Sequence, residues 1–464
     1  MKRHFHFIAI GGAAMHNLAI ALHKKGYKVT GSDDEIFDPA RSNLEKYGLL
    51  PEKEGWFPEK ITRNIDAIIL GMHAHADNPE LQKAKQLGIK IYSYPEFVYE
   101  QSKNKTRVVI GGSHGKTTTT GMVMHVLRYA GKDFDYVVGS AVKGFENTVK
   151  LSEEASIIVI EGDEYLTSAL DPVPKFHKYK ADFGVITGIA WDHINVFETY
   201  DKYKEQFRKF VETFNENGTL FYFGENPEIK ETVSKVRPDV KKIPYFTHKY
   251  IERGGKTFLI TPDNHEVELK IFGKHNMQNV SAAKMVASAL GIDEETFYEA
   301  IARFEGSAKR LEKVFDKNGL VVFSDFAHAP SKVASTVKAV KEKYPDKRLI
   351  AVFELHTYSS LNKKFLSQYE HTLDTADYAI VYYNKHTLEL KRLPEITPAD
   401  VKKGFGRTDL VVMTDRNGLI KHLKMNYNFD NTVLLMMSSG NFSGIDIAKL
   451  GKVLIKPKRK NIKP

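Results

Sequence analysis

The chain has no cysteine and only two tryptophans in 464 residues. Without cysteine there is no disulfide framework, no thiolate metal site and no cysteine nucleophile. No stretch approaches the roughly 18 consecutive apolar residues that a membrane span needs. The opening residues, from Met1 to Ile8, lead straight into an apolar strand without a signal-peptide core. These absences give the expectation of a soluble, cytoplasmic protein with no integral membrane association. No fixed-period repeat and no low-complexity tract is visible. What is present is ordinary globular material. The apolar share of 42% is enough for real cores and excludes a disordered or fibrous chain. At about 150 residues per domain the length suggests about three domains. Net charge is +10, from 68 Lys+Arg against 58 Asp+Glu. Six of those ten charges lie in the acid-free tail from Lys452 to Pro464, which reads as a solubilising end. No recognition motif or aromatic–basic interleave accompanies the charge, so no nucleic-acid partner is expected.

Apolar periodicity divides the chain into three α/β series. In the first, Phe5–Ile10 reads as a strand, Gly11-Gly12 as a tight turn, and Met15, Leu18, Ala19 and Leu22 as one helix face ending at Gly26. Tyr27–Gly31, Ile65–Leu70 and Ile89–Tyr92 continue a βαβ pattern, which implies a mostly parallel sheet. A second series opens with the strand Val108–Ile110, the loop Gly111–Lys116 and the helix Thr117–Tyr129. Ser156–Ile160 and Phe183–Thr187 are further strands. Between Lys241 and Gly273, Gly254-Gly255 and Pro262-Asp263-Asn264 punctuate short strands, suggesting a small antiparallel patch before the helix Asn279–Leu290. The third series has strands at Val321–Phe323, Leu349–Phe353, Tyr378–Tyr382, Leu410–Met413 and Thr432–Met437, with a helix over Ser331–Lys343. The expected architecture is three consecutive α/β domains over 1–105, 106–306 and 307–464. They are a Rossmann-like N-terminal parallel sheet, a P-loop ATPase-like centre and a Rossmann-like C-terminal domain.

The strongest local signal is Gly111-Gly112-Ser113-His114-Gly115-Lys116-Thr117-Thr118 between a strand and a helix. Glycines let backbone N–H groups converge on phosphate oxygens, and the helix N-terminus adds a favourable dipole. Lys116 then suits the β/γ-phosphates, and the Thr117 hydroxyl suits Mg²⁺. Only three residues separate Gly111 from Gly115-Lys116, one fewer than the general pattern requires. Acids and a histidine follow two later strands of the same series, in Glu161-Gly162-Asp163-Glu164 and Asp192-His193. Ligands of open parallel sheets sit beyond the carboxyl ends of strands. Glu161 therefore reads as a metal ligand, and His193 as a less usual one, since Mg²⁺ prefers oxygen.

The N-terminal turn Gly11-Gly12-Ala13-Ala14-Met15, with Asp33 21 residues past Gly12, is close to a dinucleotide fingerprint. Neither register supplies the three required glycines, which disfavours a nicotinamide dehydrogenase. A diphosphate on this helix start remains physically reasonable.

Taken together these motifs resemble the Mur ligases, ATP-dependent amide-forming ligases of peptidoglycan synthesis. The likeness runs along nearly the whole chain. It includes Gly31-Ser32-Asp33, Ala76-Asp77-Asn78-Pro79, the Gly112–Thr118 loop, Glu161–Glu164, Asp192-His193, Gly273–Asn279, Arg310-Leu311-Glu312 and Asp325–Pro330. The resemblance implies that Gly11, Gly12, Ala13, Ala14, Met15, Ser32, Asp33 and His73 meet a UDP-sugar. It implies that Gly112, Ser113, His114, Gly115, Lys116, Thr117 and Thr118 hold ATP. Asn276 and Asn279 would contact adenine, Arg310 the phosphates and Asp325 the ribose side. Thr117, Glu161 and His193 would serve Mg²⁺, and His328 would stand near the cleft. The implied chemistry is attack of a carboxylate on the γ-phosphate, then of an amine on the acyl phosphate, with Lys116, Glu161, His193, Arg310 and His328 as catalytic candidates.

Three positions depart from the family pattern. Gly188 replaces a frequent Asn, Ala14 replaces a frequent Gly, and Phe207 stands where several branches carry a carbamylated lysine. The last fits the branches that build on UDP-N-acetylmuramate itself. One of these adds L-alanine, the other the tripeptide L-alanyl-γ-D-glutamyl-meso-diaminopimelate. Glu164-Tyr165 with the long segment to His177, and the late loop Met437–Ile445, resemble the tripeptide branch. Ser359-Ser360 after Phe353–Thr357 lacks an arginine frequent in the alanine branch. The tripeptide is the expected amine, with L-alanine as the alternative. A nucleotide-gated binding protein using the same loop as a switch is a more distant alternative, which the late Arg310 and Asp325 disfavour.

Overall fold

In the computed structural model the described residues are 2–168, 170–307 and 310–455. Apart from Lys452, which ends up on the helix Ile447–Leu454, the charged residues of the basic tail lie outside the described residues. The fold is α/β with mainly parallel sheets in its N-terminal, central and C-terminal parts, as the alternating pattern implied. By mutual contact the chain forms two compact units. The first is 1–189 with 199–247 and 278–303, and the second is 190–198 with 248–277 and 304–464.

The first unit carries two sheets. Strands β1 (His4–Ile8), β2 (Lys28–Ser32), β3 (Ala67–Leu70) and β4 (Lys90–Ser93) form a parallel sheet in the order β2-β1-β3-β4. Helix Ala13–Lys24 connects β1 to β2, burying Met15, Leu18, Ala19 and Leu22 on the stripe that the 3.6-residue spacing marks out. Gly26, at φ +90°, ends that turn in a conformation open to glycine. The central sheet holds β5 (Thr106–Gly111), β6 (Asp135–Val137), β7 (Val149–Lys150), β8 (Ile157–Glu161), β9 (Phe183–Ile186), β10 (Thr219–Phe223) and β11 (Lys241–Tyr245). Its order is β11-β10-β9-β5-β8-β6-β7, parallel except for β7. Strand β5 lies in the middle. Its Val108, Val109 and Ile110 are fully buried, as expected for a strand covered on both faces.

The second unit carries a small sheet and a large one. Strands β12 (Tyr250–Arg253), β13 (Lys256–Ile260) and β14 (Glu266–Leu269) form an antiparallel sheet. Strands β15 (Glu312–Lys317), β16 (Leu320–Asp325), β17 (Arg348–Glu354), β18 (Tyr378–Tyr382), β19 (Val411–Met413) and β20 (Thr432–Met437) form a sheet ordered β15-β16-β20-β17-β18-β19, parallel except for β15. Alternate residues feed two separate cores. Val321, Phe323, Ala351, Phe353, Val433 and Leu435 face one, and Leu320, Val322, Ile350, Val352, Leu434 and Met436 face the other. This is the period-two pleat of a strand covered on both sides.

Two sequence-based expectations need correction. The antiparallel patch begins at Tyr250, because Lys241–Tyr245 joins the central sheet as a parallel edge strand. Pro244 is tolerated there because an edge strand can forgo one donor. The helix expected at Asn279–Leu290 starts earlier and covers Lys274–Ala289, so both of its candidate asparagines lie on the helix.

Candidate functional site

Most of the candidate residues fall at the carboxyl ends of strands, where open parallel sheets place their ligands. The first group surrounds the N-terminal turn. Gly12 caps the helix Ala13–Lys24 without any side-chain acceptor, which leaves first-turn amides to face an anion. The Gly11 amide donates to Asp33 Oδ2 at 2.7 Å. A Cβ on Gly11 would meet that same oxygen at 2.9 Å and Ile36 at 3.0 Å, so the turn tolerates only glycine at this point. Burial pushes the Asp33 carboxyl up to about 6, with Asp34 adding to the rise and the Gly11 amide opposing it. Ser32 ends β2 and is fully buried, whereas His73 is exposed on the turn after β3. The candidates Gly11–Met15, Ser32, Asp33 and His73 thus share one end of one sheet.

The second group is the glycine loop between β5 and helix Lys116–Tyr129. Gly112 lies at φ +135°, and a Cβ there would be 2.1 Å from Thr187 Oγ1 and 2.9 Å from the Thr187 amide nitrogen. Gly115 lies at φ +77° with Asn279 Oδ1 2.4 Å from the position of a Cβ. Thr119 also donates to Asn279 Oδ1 at 3.3 Å, so Asn279 packs on the loop from the side. The Ser113 amide donates to the Gly188 carbonyl at 2.9 Å. Gly188 leaves room for the His114 ring, which would lie 2.3 Å from a Cβ at this position. A side chain such as the Asn common in the family would displace that histidine.

Lys116 Nζ donates to Glu164 Oε2 and to the Gly112 carbonyl, each at 2.6 Å. Glu164 is almost fully buried and also accepts from Tyr203 Oη at 3.3 Å. Burial would lower the Lys116 ammonium pKa, but Glu164, Asp163 and Glu161 outweigh it and raise it. Thr117 Oγ1 donates to Glu161 Oε1 at 2.8 Å, and the Gly139 amide donates to Glu161 Oε2 at 2.8 Å. A hydroxyl and a carboxylate side by side at a helix start are hard oxygen donors of the kind Mg²⁺ takes. With the glycine cradle, these residues fit a magnesium–nucleotide.

The remaining candidates belong to the second unit. His193 stands at φ +55°, and its amide donates to Asp192 Oδ1 at 2.8 Å. Asp192 is buried, with Lys332 Nζ at 3.7 Å and His328 Nε2 at 3.9 Å from its Oδ2. Burial raises the Asp192 carboxyl, but His193 and Lys332 together hold it well below the usual carboxylate range. Burial and Lys332 push His328 down to about 3, so its imidazole is neutral at pH 7. Its Nδ1 faces the Phe326 carbonyl at 2.9 Å. Asp325 ends β16, buried, and accepts from the Ala327 amide at 2.8 Å and Thr336 Oγ1 at 3.2 Å. The Arg310 guanidinium stacks 4.8 Å from the Phe326 ring centre. Asn276 Nδ2 donates to the Phe272 carbonyl at 2.7 Å, fixing the first turn of its helix.

Sequence reasoning passed over Lys332, Tyr203 and the partnership of Glu164 with Lys116. Lys332 sits in the first turn of an ordinary amphipathic helix, and Tyr203 reads as one more apolar position on the stripe of helix Tyr200–Glu212. Only Glu164, in an acidic cluster after a strand, carried a signal that pointed to it. Phe207 is fully buried on the same helix, 5.5 Å from the Phe176 ring and 5.2 Å from the Tyr203 ring.

Family comparisons match the chain in three successive stretches. Residues 4–106 match the Mur ligase family catalytic domain, 110–287 the Mur ligase middle domain, and 309–440 the Mur ligase glutamate ligase domain. Among named relatives, the UDP-N-acetylmuramate–L-alanine ligase of Caldicellulosiruptor bescii is 31% identical over 82% of this chain and 83% of its own length. The enzyme of the same name from Caldanaerobacter subterraneus is 30% identical over 95% of both chains. The fold is shared with a murein peptide ligase from Psychrobacter arcticus (TM-score 0.66, 23% identity, 97% of this chain and 98% of that one). It is equally shared with a UDP-N-acetylmuramate–alanine ligase from Thermotoga maritima (TM-score 0.68, 20% identity, 97% and 98%).

Proposed function

The chain belongs to the Mur ligase family, and on that premise we propose that it is an ATP-dependent ligase joining the carboxylate of UDP-N-acetylmuramate to the amine of L-alanine. The observation that carries the ligase reading is the cluster at the glycine loop, where Lys116 and the Thr117–Glu161 pair converge on one helix N-terminus. Such a cluster suits the triphosphate end of ATP. The two sequence relatives reported above, each named as a UDP-N-acetylmuramate–L-alanine ligase, support L-alanine as the amine over the tripeptide expected from sequence. The tripeptide remains a second reading. In its favour stands the long segment after Glu164, closed by the Leu166–Pro174 bridge and the Asp163–Lys175 ion pair at 2.6 Å.

In this reading the turn Gly11–Met15 and the uncapped helix start receive the UDP diphosphate, and Asp33 fixes the turn through the Gly11 amide. The carboxylate oxygen of the sugar attacks the γ-phosphorus, and the bond to the β–γ bridging oxygen breaks to release ADP. The amine nitrogen then attacks the acyl carbon, loses a proton, and the C–O bond to phosphate breaks. Mg²⁺, when bound, neutralises phosphate charge. Thr117 and Glu161 would hold it at the start of the helix after the glycine loop. Lys116 places fixed positive charge at the glycine loop, so it acts by positioning and electrostatics and not as a nucleophile. His328, with its pKa pushed down to about 3, stays neutral at working pH and is too weak a base there to serve as the proton acceptor.

The test uses purified protein, ATP, Mg²⁺ and UDP-N-acetylmuramate, with L-alanine in one reaction and the tripeptide in another. Stoichiometric phosphate and a product heavier by one alanine residue in the first reaction supports the proposal. A product in the tripeptide reaction alone transfers the assignment to the second reading, and no product in either removes both.

A further inference from the structure

The acids that follow β8 are not equivalent in charge balance. Asp163 Oδ2 is 2.6 Å from Lys175 Nζ and so carries its own counter-ion. Glu161 accepts from the Thr117 hydroxyl and from the Gly139 amide, both of them neutral donors. Glu164 instead takes the Lys116 ammonium at 2.6 Å. A lysine in such a loop ordinarily offers its charge to β/γ-phosphates. Here that charge is matched by a carboxylate of the same chain, and Glu161 beside it has no cation at either oxygen.

Glu164 cannot withdraw easily. The Gly162 amide donates to the Ile110 carbonyl at 2.8 Å, which ties the chain after β8 to β5. A Cβ on Gly162 would be 2.9 Å from Val109 Cγ1 and 3.2 Å from Phe176 Cβ, so the two segments are in close contact. The Phe176 amide donates to the Asp163 carbonyl at 3.1 Å and holds the next residue as well. The Glu164 side chain is 1% exposed, and its other oxygen accepts from Tyr203 Oη at 3.3 Å. Lys116 is itself anchored on the Gly112 carbonyl at 2.6 Å. A polyphosphate that reaches this ammonium therefore meets a carboxylate fixed beside it. Burial leaves the two anions poorly screened from each other.

We propose that Glu164 is a positioning residue that acts through Lys116 and makes nucleotide binding depend on a divalent cation. The proposal rests on the nucleotide part of the reading above and deepens it. A metal-free triphosphate brings its full negative charge to a loop whose ammonium is already neutralised, and Glu161 and Glu164 repel it. A magnesium–nucleotide carries less charge, and Thr117 and Glu161 offer the oxygen ligands that suit that cation. Neutralising Glu164 leaves Lys116 wholly to phosphate, so metal-free nucleotide binds more tightly. An ion pair with a structural role alone predicts the reverse, since loosening the loop weakens both forms of the nucleotide.

Isothermal titration calorimetry on the full-length chain compares ATP in EDTA, ATP in excess Mg²⁺ and inorganic tripolyphosphate in EDTA. The proteins are wild type, Glu164→Gln, Glu164→Met and Glu164→Asp, with urea unfolding to show that each is folded. Wild type should gain about tenfold or more in ATP affinity from Mg²⁺, and equal binding in the two buffers overturns the proposal without any variant. Either neutral variant should bind ATP and tripolyphosphate in EDTA about tenfold tighter than wild type, with its Kd for ATP in Mg²⁺ within about threefold. Glu164→Asp keeps the charge and should keep the wild-type dependence on Mg²⁺. A folded neutral variant with unchanged or weaker affinity for metal-free ATP overturns the proposal. A loss confined to ATP in Mg²⁺ does so too, since it would make Glu164 a metal ligand. Wild-type protein that binds ATP in neither buffer refutes the nucleotide reading itself, an outcome distinct from normal binding that Glu164 does not influence.

Discussion

Removing Lys116 separates its structural from its chemical work. Its ammonium and the Glu164 carboxylate are 2.6 Å apart, with side chains 13% and 1% exposed. Truncating one partner of such a pair leaves an uncompensated buried charge, at a cost of about 3–5 kcal/mol. Lys116→Met therefore loses about that much stability, because the buried Glu164 carboxylate is left without the ammonium that faces it. Removing the carboxylate as well relieves the stranded charge, so Lys116→Met/Glu164→Gln regains most of the loss. Activity behaves differently, since the double variant still lacks the cation facing the phosphates, and transition-state charge stabilisation of this type is worth about 10²–10³ in kcat. The assay pairs urea unfolding of the wild type, both single variants and the double variant with phosphate release under saturating ATP. Non-additive stability together with undiminished loss of turnover is the expected outcome. Two single losses that simply add, or a double variant that recovers turnover, would refute the reasoning.

Asp33 holds the N-terminal turn as a carboxylate, and burial raises its pKa to about 6. A raised acid pKa means the folded state is favoured by protonation and loses that contribution as pH rises toward 6, whereas the turn-fixing acceptor is fully charged only above 6. KM for the UDP-sugar should accordingly rise as pH falls below 6 in a substrate-saturation series, and Asp33→Asn should abolish that inflection. Gly112→Ala places a Cβ against the backbone of Thr187 and Gly188 at 2.9 and 3.0 Å, which no side-chain rotation relieves. It should lower kcat/KM for ATP by a factor of about 100 or more, and a change under threefold would contradict the cradle. Phe207→Ala removes a fully buried ring from an aromatic cluster and should cost about 3–5 kcal/mol in urea unfolding. Wild-type activity should meanwhile be insensitive to removal of bicarbonate, because a phenylalanine cannot be carbamylated.

Much of the fold was legible because most parallel strands announce themselves as short apolar runs between turn residues. Tyr378–Tyr382 and Thr432–Met437 coincide with the strands observed. Elements with mixed faces were not legible. Glu312–Lys317 (EKVFDK) is two-thirds charged because it is an antiparallel edge with one face in solvent, and Asp135–Val137 is too short to show a period. Lys241–Tyr245 carries a proline and two lysines, which mask its place in a parallel sheet. In the candidate site, the glycine loop and the acids after strands were visible because phosphate and cation binding need rare residue types at fixed spacing. Lys332 and Tyr203 were not visible. Their importance lies in long-range partners, Asp192 and Glu164, which no local pattern encodes.

The central claim is that the chain activates a carboxylate as an acyl phosphate before the amine attacks. The most direct measurement uses UDP-N-acetylmuramate labelled with ¹⁸O in its carboxylate, with ATP, Mg²⁺ and the amine, followed by mass analysis of the phosphate released. One ¹⁸O atom transferred into each phosphate is the predicted result, since the attacking oxygen leaves with phosphorus. Phosphate free of label, with ATP consumed, would contradict the account.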